Sequence, residues 1–418
     1  MAIKRIDELD AATPLLTDFL PATPAGGPST KATVKQLYES NLFAVSVAYT
    51  GIAPAPFGAI VSAKSGAQSG STLTIPDGVT IEAFVYSEGL STTLTYANLA
   101  VIRSTFTMAT WVNLTSLSFP VLTAIGGSFA PQVMGLLTTL STPALAYVGG
   151  TYLPYNMSTL TSLSAPALAY VGGAYSPTGM DALTTLSAPA LTYVGQGFTP
   201  SSLRYITTIS VPSLVYVGTN FQPGSFDYIT SISAPALNYV GTDFKPNTMA
   251  LLTTLSTPLL EFIGYTIGPY TMAKLTTLSF PALKSVGVNL NRTDYTPGNI
   301  SPSSMVLLNS FTMPAIEVIG SAGSGSILFV SGTPALATFT MGSTLRRVQG
   351  NVSITSNALL VASVDGVLVR LAALDGTGLT TAYSSKTVTI TGTSATPSAT
   401  GLAAKATLVA RGCTVTHN

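Results

Sequence analysis

The 418-residue chain is long enough for several domains and a large buried core. Only 8% of its residues are charged and its net charge is +1, which excludes a basic field for nucleic acid or an anionic membrane. Its 46% apolar content excludes the composition of a disordered chain, and its single cysteine, Cys413, excludes an intrachain disulfide or a multi-cysteine metal site.

Residues 1–40 do not repeat. Ala2-Ile3-Lys4-Arg5-Ile6 and Leu9 are followed by Pro14, by a Pro/Gly stretch from Pro21 to Pro28 that reads as an extended arm, and by Thr33-Val34-Lys35-Gln36-Leu37. Thr33 is placed to cap a short helix over 34–40. Acidic residues and Pro14 interrupt any signal-like apolar core, and no window approaches 18 uninterrupted apolar residues. Synthesis and assembly in the cytoplasm without membrane insertion are therefore expected. The segment resembles the N-terminal docking segment of bacteriophage fibre and head- or tail-associated proteins. That resemblance makes Ile3, Lys4, Arg5, Ile6, Leu9, Val34 and Leu37 candidate virion-anchor residues. The plainer alternative is a flexible leader.

Residues 41–110 alternate in the manner of strands, as in Thr72-Leu73-Thr74-Ile75 and Thr80-Ile81-Glu82-Ala83-Phe84-Val85-Tyr86. A small β-rich domain that also caps the neighbouring repeats is expected there.

Residues 111–345 are governed by a 23-residue period, set by Pro120, Pro143, Pro166, Pro189, Pro212, Pro235, Pro258 and Pro281. Pro314 comes after a ten-residue insertion near 288–301. Four apolar columns keep step with these prolines. They begin at Leu114, Leu117, Leu122 and Ile125 and run to Leu308, Phe311, Ile316 and Ile319. They must face inward, each side chain stacking on its copy in the next coil, because no coil can bury such a face alone. A glycine follows the fourth column throughout, from Gly126 to Gly320, which predicts positive φ or a close backbone approach. A second proline column from Pro131 to Pro269, preceded two residues earlier by an aromatic from Phe129 to Phe244, excludes a long helix within the repeat. Strands are expected at the Thr-x-Leu-Ser stretches; nine coils stacked at about 4.8 Å would form a rod of roughly 45 Å.

Outward columns lie between the inward ones. Ser118 to Thr312 and Thr115 to Thr276 give one flat, neutral, hydroxyl-rich face. Tyr147, Tyr170, Tyr193, Tyr216 and Tyr239, then Phe262, give an aromatic strip. The strip reads either as a binding surface for sugar or protein, or as a stacking ladder that stiffens the rod or meets a sister subunit.

Residues 346–418 change character. Helical spacing from Val364 to Leu374, a strand at Thr387–Ile390, a helix from Leu402 to Arg411 closed by Gly412, and a last strand at 413–416 predict an α/β capping module. Its Val364-Asp365-Gly366-Val367-Leu368 and Gly401-Leu402-Ala403-Ala404-Lys405 stretches resemble a terminal module of phage and bacterial repeat proteins.

The chemistry-bearing residues are sparse. Asp181, Asp227, Asp243, Glu261, Asp294 and Glu317 read as recurring at no common repeat position, and the one histidine, His417, is penultimate. No catalytic residue, metal ligand or cofactor is assigned. Asn291-Arg292-Thr293 and Asn299-Ile300-Ser301 match glycosylation sequons without an export context, and the insertion around them reads as a loop.

The repeat pattern Leu-x-x-Leu-Ser-x-Pro-x-Leu-x-x-Val-Gly resembles the 23-residue leucine-rich repeats of bacterial surface antigens. The expected fold is mainly β: a leucine-rich-repeat solenoid at 111–345 with a virion-anchoring arm at 1–40, a small β-rich domain at 41–110 and a C-terminal α/β cap at 346–418. The expected function is non-enzymatic: a phage fibre or receptor-binding subunit of the virion. Its expected partners are other virion proteins, sister subunits (a trimer by resemblance) and a host surface glycan or protein. A capsid-decorating protein, a polysaccharide-cleaving tailspike and an exported bacterial adhesin are the alternatives.

Overall fold

The computed structural model describes residues 92–418 apart from 97–98, 110, 288–298 and 321–325, together with the strands Ile60–Ala63, Thr72–Leu73, Thr80–Ile81 and Ala83–Ser87. Side chains at 326–327 are likewise outside the description, as are all the candidate anchor residues and Asp294.

Each 23-residue coil contributes to three parallel ladders. The first is built from the expected Thr-x-Leu-Ser stretches, such as Thr139–Ser141 and Thr185–Ser187, in which the central Leu points inward. The second joins the Tyr-Val pairs: strands from Thr80–Ile81 to Arg347–Val348 form one twelve-stranded parallel sheet. The third passes through the aromatic column, as single bridges from Phe129↔Tyr152 through Phe221↔Phe244 to Ile300↔Leu328. Within the regular repeat every pairing couples a residue to the one 23 positions on, as in Leu140↔Leu163 and Val171↔Val194. The chain therefore places like on like, and each apolar column becomes a continuous interior row.

Burial follows directly. All four expected columns are buried at every position except Leu255, which is partly buried. Each such side chain contributes roughly 1.5–3 kcal/mol. A further interior column runs Trp111, Met134, Met157, Met180, Leu203, Phe226, Met249, Met272 and Met305. Met recurs at this position in the sequence, yet only the four Leu/Ile/Val columns are expected in the interior.

The ladders extend beyond the expected solenoid limits. Thr93–Tyr96 pairs with Ser116–Ser118, Val101–Ile102 with Ala124–Ile125, and Ala83–Ser87 with Phe106–Ala109. The described strands of 60–109 thus belong to the same ladders as the repeats. Leu94, Leu99, Ile102 and Phe106 stand 23 residues before Leu117, Leu122, Ile125 and Phe129 and are buried like them. The coil persists where its prolines lapse.

The same holds at the other end. Asn351–Asn357, Thr387–Gly392 and Thr414–His417 extend the third ladder in parallel from Ser326–Val330. Helix α1 (Val361–Ala372) and helix α2 (Ala399–Ala410) occupy the sides that short strands occupy elsewhere. Helices α1 and α2 begin three residues before the expected starts at Val364 and Leu402, and the strand Asn351–Asn357 is not among the elements that the spacing predicts. Helix α1 lies on the last strand of the first ladder: the Leu360 N–H donates to Ala337 O at 3.0 Å, and the Phe339 N–H donates to Ser363 Oγ at 3.1 Å. Ser398 caps α2, its side chain accepting from the Thr400 N–H.

Two backbone devices hold the coil. At Gly149, Gly172, Gly195, Gly218, Gly241 and Gly264 a Cβ would overlap the carbonyl oxygen of the glycine one coil earlier. This column therefore exists for close approach, whereas Gly287 and Gly320 adopt φ of 77° and 82°. The corner after the second proline is left-handed in every regular coil. Val133, Asn156, Gly179, Ser202, Ser225, Thr248 and Thr271 all have φ between 52° and 69°. No shared residue type marks that corner, so periodicity alone does not reveal it.

Candidate binding strip

The five candidate tyrosines occupy one position in five successive coils, and the second ladder sets them side by side. Tyr147↔Tyr170↔Tyr193↔Tyr216↔Tyr239 are direct register partners. Each precedes an inward Val, so the strand alternation turns the ring outward. Successive ring centroids are 4.9, 4.7, 4.8 and 5.0 Å apart, with interplanar angles of 4°, 1°, 3° and 2°. The ring also leans over the glycine two residues on: the Cβ that Gly149 lacks would lie 3.3 Å from Cε1 of Tyr147.

This geometry decides what the strip can offer. Tyr170, Tyr193 and Tyr216 are stacked on both faces, so a ligand meets ring edges and hydroxyls rather than ring faces. Stacking of a sugar on an aromatic face is blocked at these positions. All five rings are half-buried. Burial, with Tyr193 and Tyr239 alongside, pushes the Tyr216 phenol up to about 12. Burial likewise raises Tyr170, reinforced by Tyr193 and Tyr147.

The threonine column is committed to the backbone. Thr138 Oγ1 donates to Thr115 O at 3.0 Å, Thr161 to Thr138 O at 3.1 Å, and Thr253 to Thr230 O at 3.1 Å. These hydroxyls tie each coil to the one before. From Thr138 to Thr276 the column is itself exposed, as are Thr139, Ser162, Thr185, Thr208, Thr254 and Thr277 beside it at the start of each strand.

The carboxylates need two corrections. Asp181 and Asp227 share one repeat position, with Arg204 in the coil between them. Glu261 and Glu317 share a second, beside the aromatic strip, and Lys284 and Arg346 occupy it in the alternate coils. The insertion before Pro314 breaks the even spacing that would have shown this. Lys284 Nζ lies 2.8 Å from Glu261 Oε2, and Arg346 Nη2 lies 3.0 Å from Glu317 Oε2. Elsewhere Asp227 pairs with Arg204 at 3.3 Å and Asp243 with Lys245 at 3.1 Å, while Asp181 is exposed. His417 Nε2 sits 3.0 Å from Lys405 Nζ, and Cys413 is buried with its thiol toward Tyr383 O.

The insertion rejoins the solenoid earlier than its expected end. Ile300 is fully buried and bridges Ile267, so 299–301 are coil. The second sequon therefore coincides with a ladder position. Among the described residues, no three His, Cys, Asp or Glu side chains gather into a metal-sized cluster, and no helix is long and apolar enough to cross a membrane. Compared with protein-family models, curated proteins and solved structures, the chain matches none.

Proposed function

We propose that the protein is a structural and adhesive subunit of a bacteriophage particle, a fibre or receptor-binding rod attached through residues 1–40. The observation that carries this reading is the continuous parallel ladder system. Like residues stack coil upon coil along the described chain, so one chemical motif is repeated at about 4.8 Å along a stiff axis. Such a rod holds a distal surface away from its attachment point and offers a multivalent edge to a repetitive host glycan or protein. The resemblance of the first 40 residues to phage docking segments, and of the repeat to surface-antigen leucine-rich repeats, supports the same reading. The oligomeric state proposed is a trimer.

The test is location and dependence. Antibody labelling of purified particles should place the protein on the virion, and chains lacking residues 1–40 should fold yet fail to join particles. Unchanged incorporation of the truncated chain would refute the anchor. Release of reducing ends from host polysaccharide by the purified chain, lost on one Asp or Glu substitution, would replace this reading with the tailspike one.

A further inference from the structure

The aromatic strip carries a second chemical consequence, independent of any receptor. Tyr147, Tyr170, Tyr193, Tyr216 and Tyr239 hold five phenols in register, 4.7 to 5.0 Å apart and parallel within 4°. Neighbours along the strip are 23 residues apart in the chain, so a bond between two of them would close one whole coil. The rings are half-buried, which leaves their edges open to a small oxidant.

We propose that this strip is a site of oxidative dityrosine formation, in which one-electron oxidation joins adjacent tyrosines and rivets successive coils. The oxidant class is a peroxide acting through a haem peroxidase. Each of two phenols gives up one electron and its O–H proton, leaving two phenoxyl radicals. These couple through the ring carbons beside each hydroxyl, forming one C–C bond. The hydrogen displaced from each of those carbons moves to that ring's oxygen and restores the phenol. One hydrogen peroxide takes up the two electrons and two protons and leaves as two waters. The ladder supplies what the reaction otherwise lacks, a second phenol already beside the first before either radical is quenched.

The fold contains its own controls. Tyr152 and Tyr175 stack at 5.2 Å and 4°, the same arrangement, but both rings are interior. Tyr205 and Tyr228 stack at 5.2 Å and 23° on the exposed corner, a looser pair with freer access. Alignment together with access predicts strip bonds first, the exposed corner pair next, and no Tyr152–Tyr175 bond while the chain stays folded.

The experiment treats the purified full-length chain with hydrogen peroxide and a haem peroxidase, then maps crosslinked peptides by mass spectrometry. The expected products join Tyr147 to Tyr170, Tyr170 to Tyr193, Tyr193 to Tyr216 or Tyr216 to Tyr239 within one chain, with a rise in the urea midpoint. The variant carrying Tyr170→Phe and Tyr216→Phe keeps the stack but separates the remaining phenols by a ring that cannot couple. Its strip crosslinks should be lost while the Tyr205–Tyr228 product remains. Crosslinks absent from the folded parent under conditions that couple a tyrosine peptide would overturn the proposal. So would strip crosslinks surviving in the double variant, or Tyr152–Tyr175 forming first in folded protein. None of these outcomes depends on whether the protein joins a virion.

Discussion

Replacing Gly195 by alanine tests the close stacking of coils most sharply. The added Cβ would overlap the Gly172 carbonyl oxygen, with the Gly172 Cα only 3.4 Å away. Neither atom belongs to a flexible side chain, so the backbone itself must give. Moving the two coils apart stretches the bond from the Gly195 N–H to Val171 O, now 2.8 Å. Overpacking of this kind costs about 1–3 kcal/mol, and weakening one interior hydrogen bond adds about 0.5–1.5 kcal/mol. A loss of roughly 2–4 kcal/mol is therefore expected, concentrated at one coil interface because solenoid stability is a sum of neighbour terms. Gly135→Ala is the matched control: its Cβ would meet nothing within 4 Å. That change should be neutral or stabilise by up to about 1 kcal/mol through the unfolded chain. Urea unfolding gives the overall change, and hydrogen exchange at the amides of Gly195 and Gly218 locates it. A Gly195→Ala protein as stable as the parent, or a Gly135→Ala protein equally impaired, would refute the reasoning.

Four further outcomes rest on the same geometry. Tyr152→Phe removes a buried hydroxyl that has no hydrogen-bond partner, in a column otherwise mostly Phe, and should stabilise the chain by about 1 kcal/mol in urea unfolding. Val133→Gly relieves a β-branched residue at φ of 54° and should raise the melting temperature, whereas Leu140→Ala, at a fully stacked interior position, should cost about 2–5 kcal/mol. The Tyr216 phenol, raised in the folded state to about 12 from an ordinary 10.0, contributes stability that is present below pH 10 and lost as pH rises through 12. Tyr216→Phe should flatten that alkaline decline, and ultraviolet titration of phenolate should show one fewer late-titrating group.

The interior of the solenoid was legible because every coil repeats the same environment, so Leu114, Leu117, Leu122 and Ile125 announce columns that run unbroken to Ile319. The limits of the solenoid were less legible. The prolines stop before Pro120, yet Leu94 and Phe106 continue the same rows, because apolar stacking and not proline maintains the coil. The left-handed corner leaves no mark in the sequence, since Val133, Asn156, Ser202 and Thr248 share a conformation without sharing a chemistry. For the strip, the sequence located the tyrosines and offered stacking as one of two readings, without the ring geometry. That depends on the separation between coils, and it turns a row of ring faces into a row of edges.

Coil upon coil stacking is tested most directly by a distance between two points on one ladder. Spin labels on cysteines introduced by Thr139→Cys and Thr277→Cys lie six periods apart on exposed sites of the first ladder. At about 4.8 Å per coil their sites should be separated by roughly 29 Å along the axis. A single distance population near that value is the expected result, after allowance for the label arms. A much shorter separation, or a broad spread without a peak, would contradict a stack of successive coils.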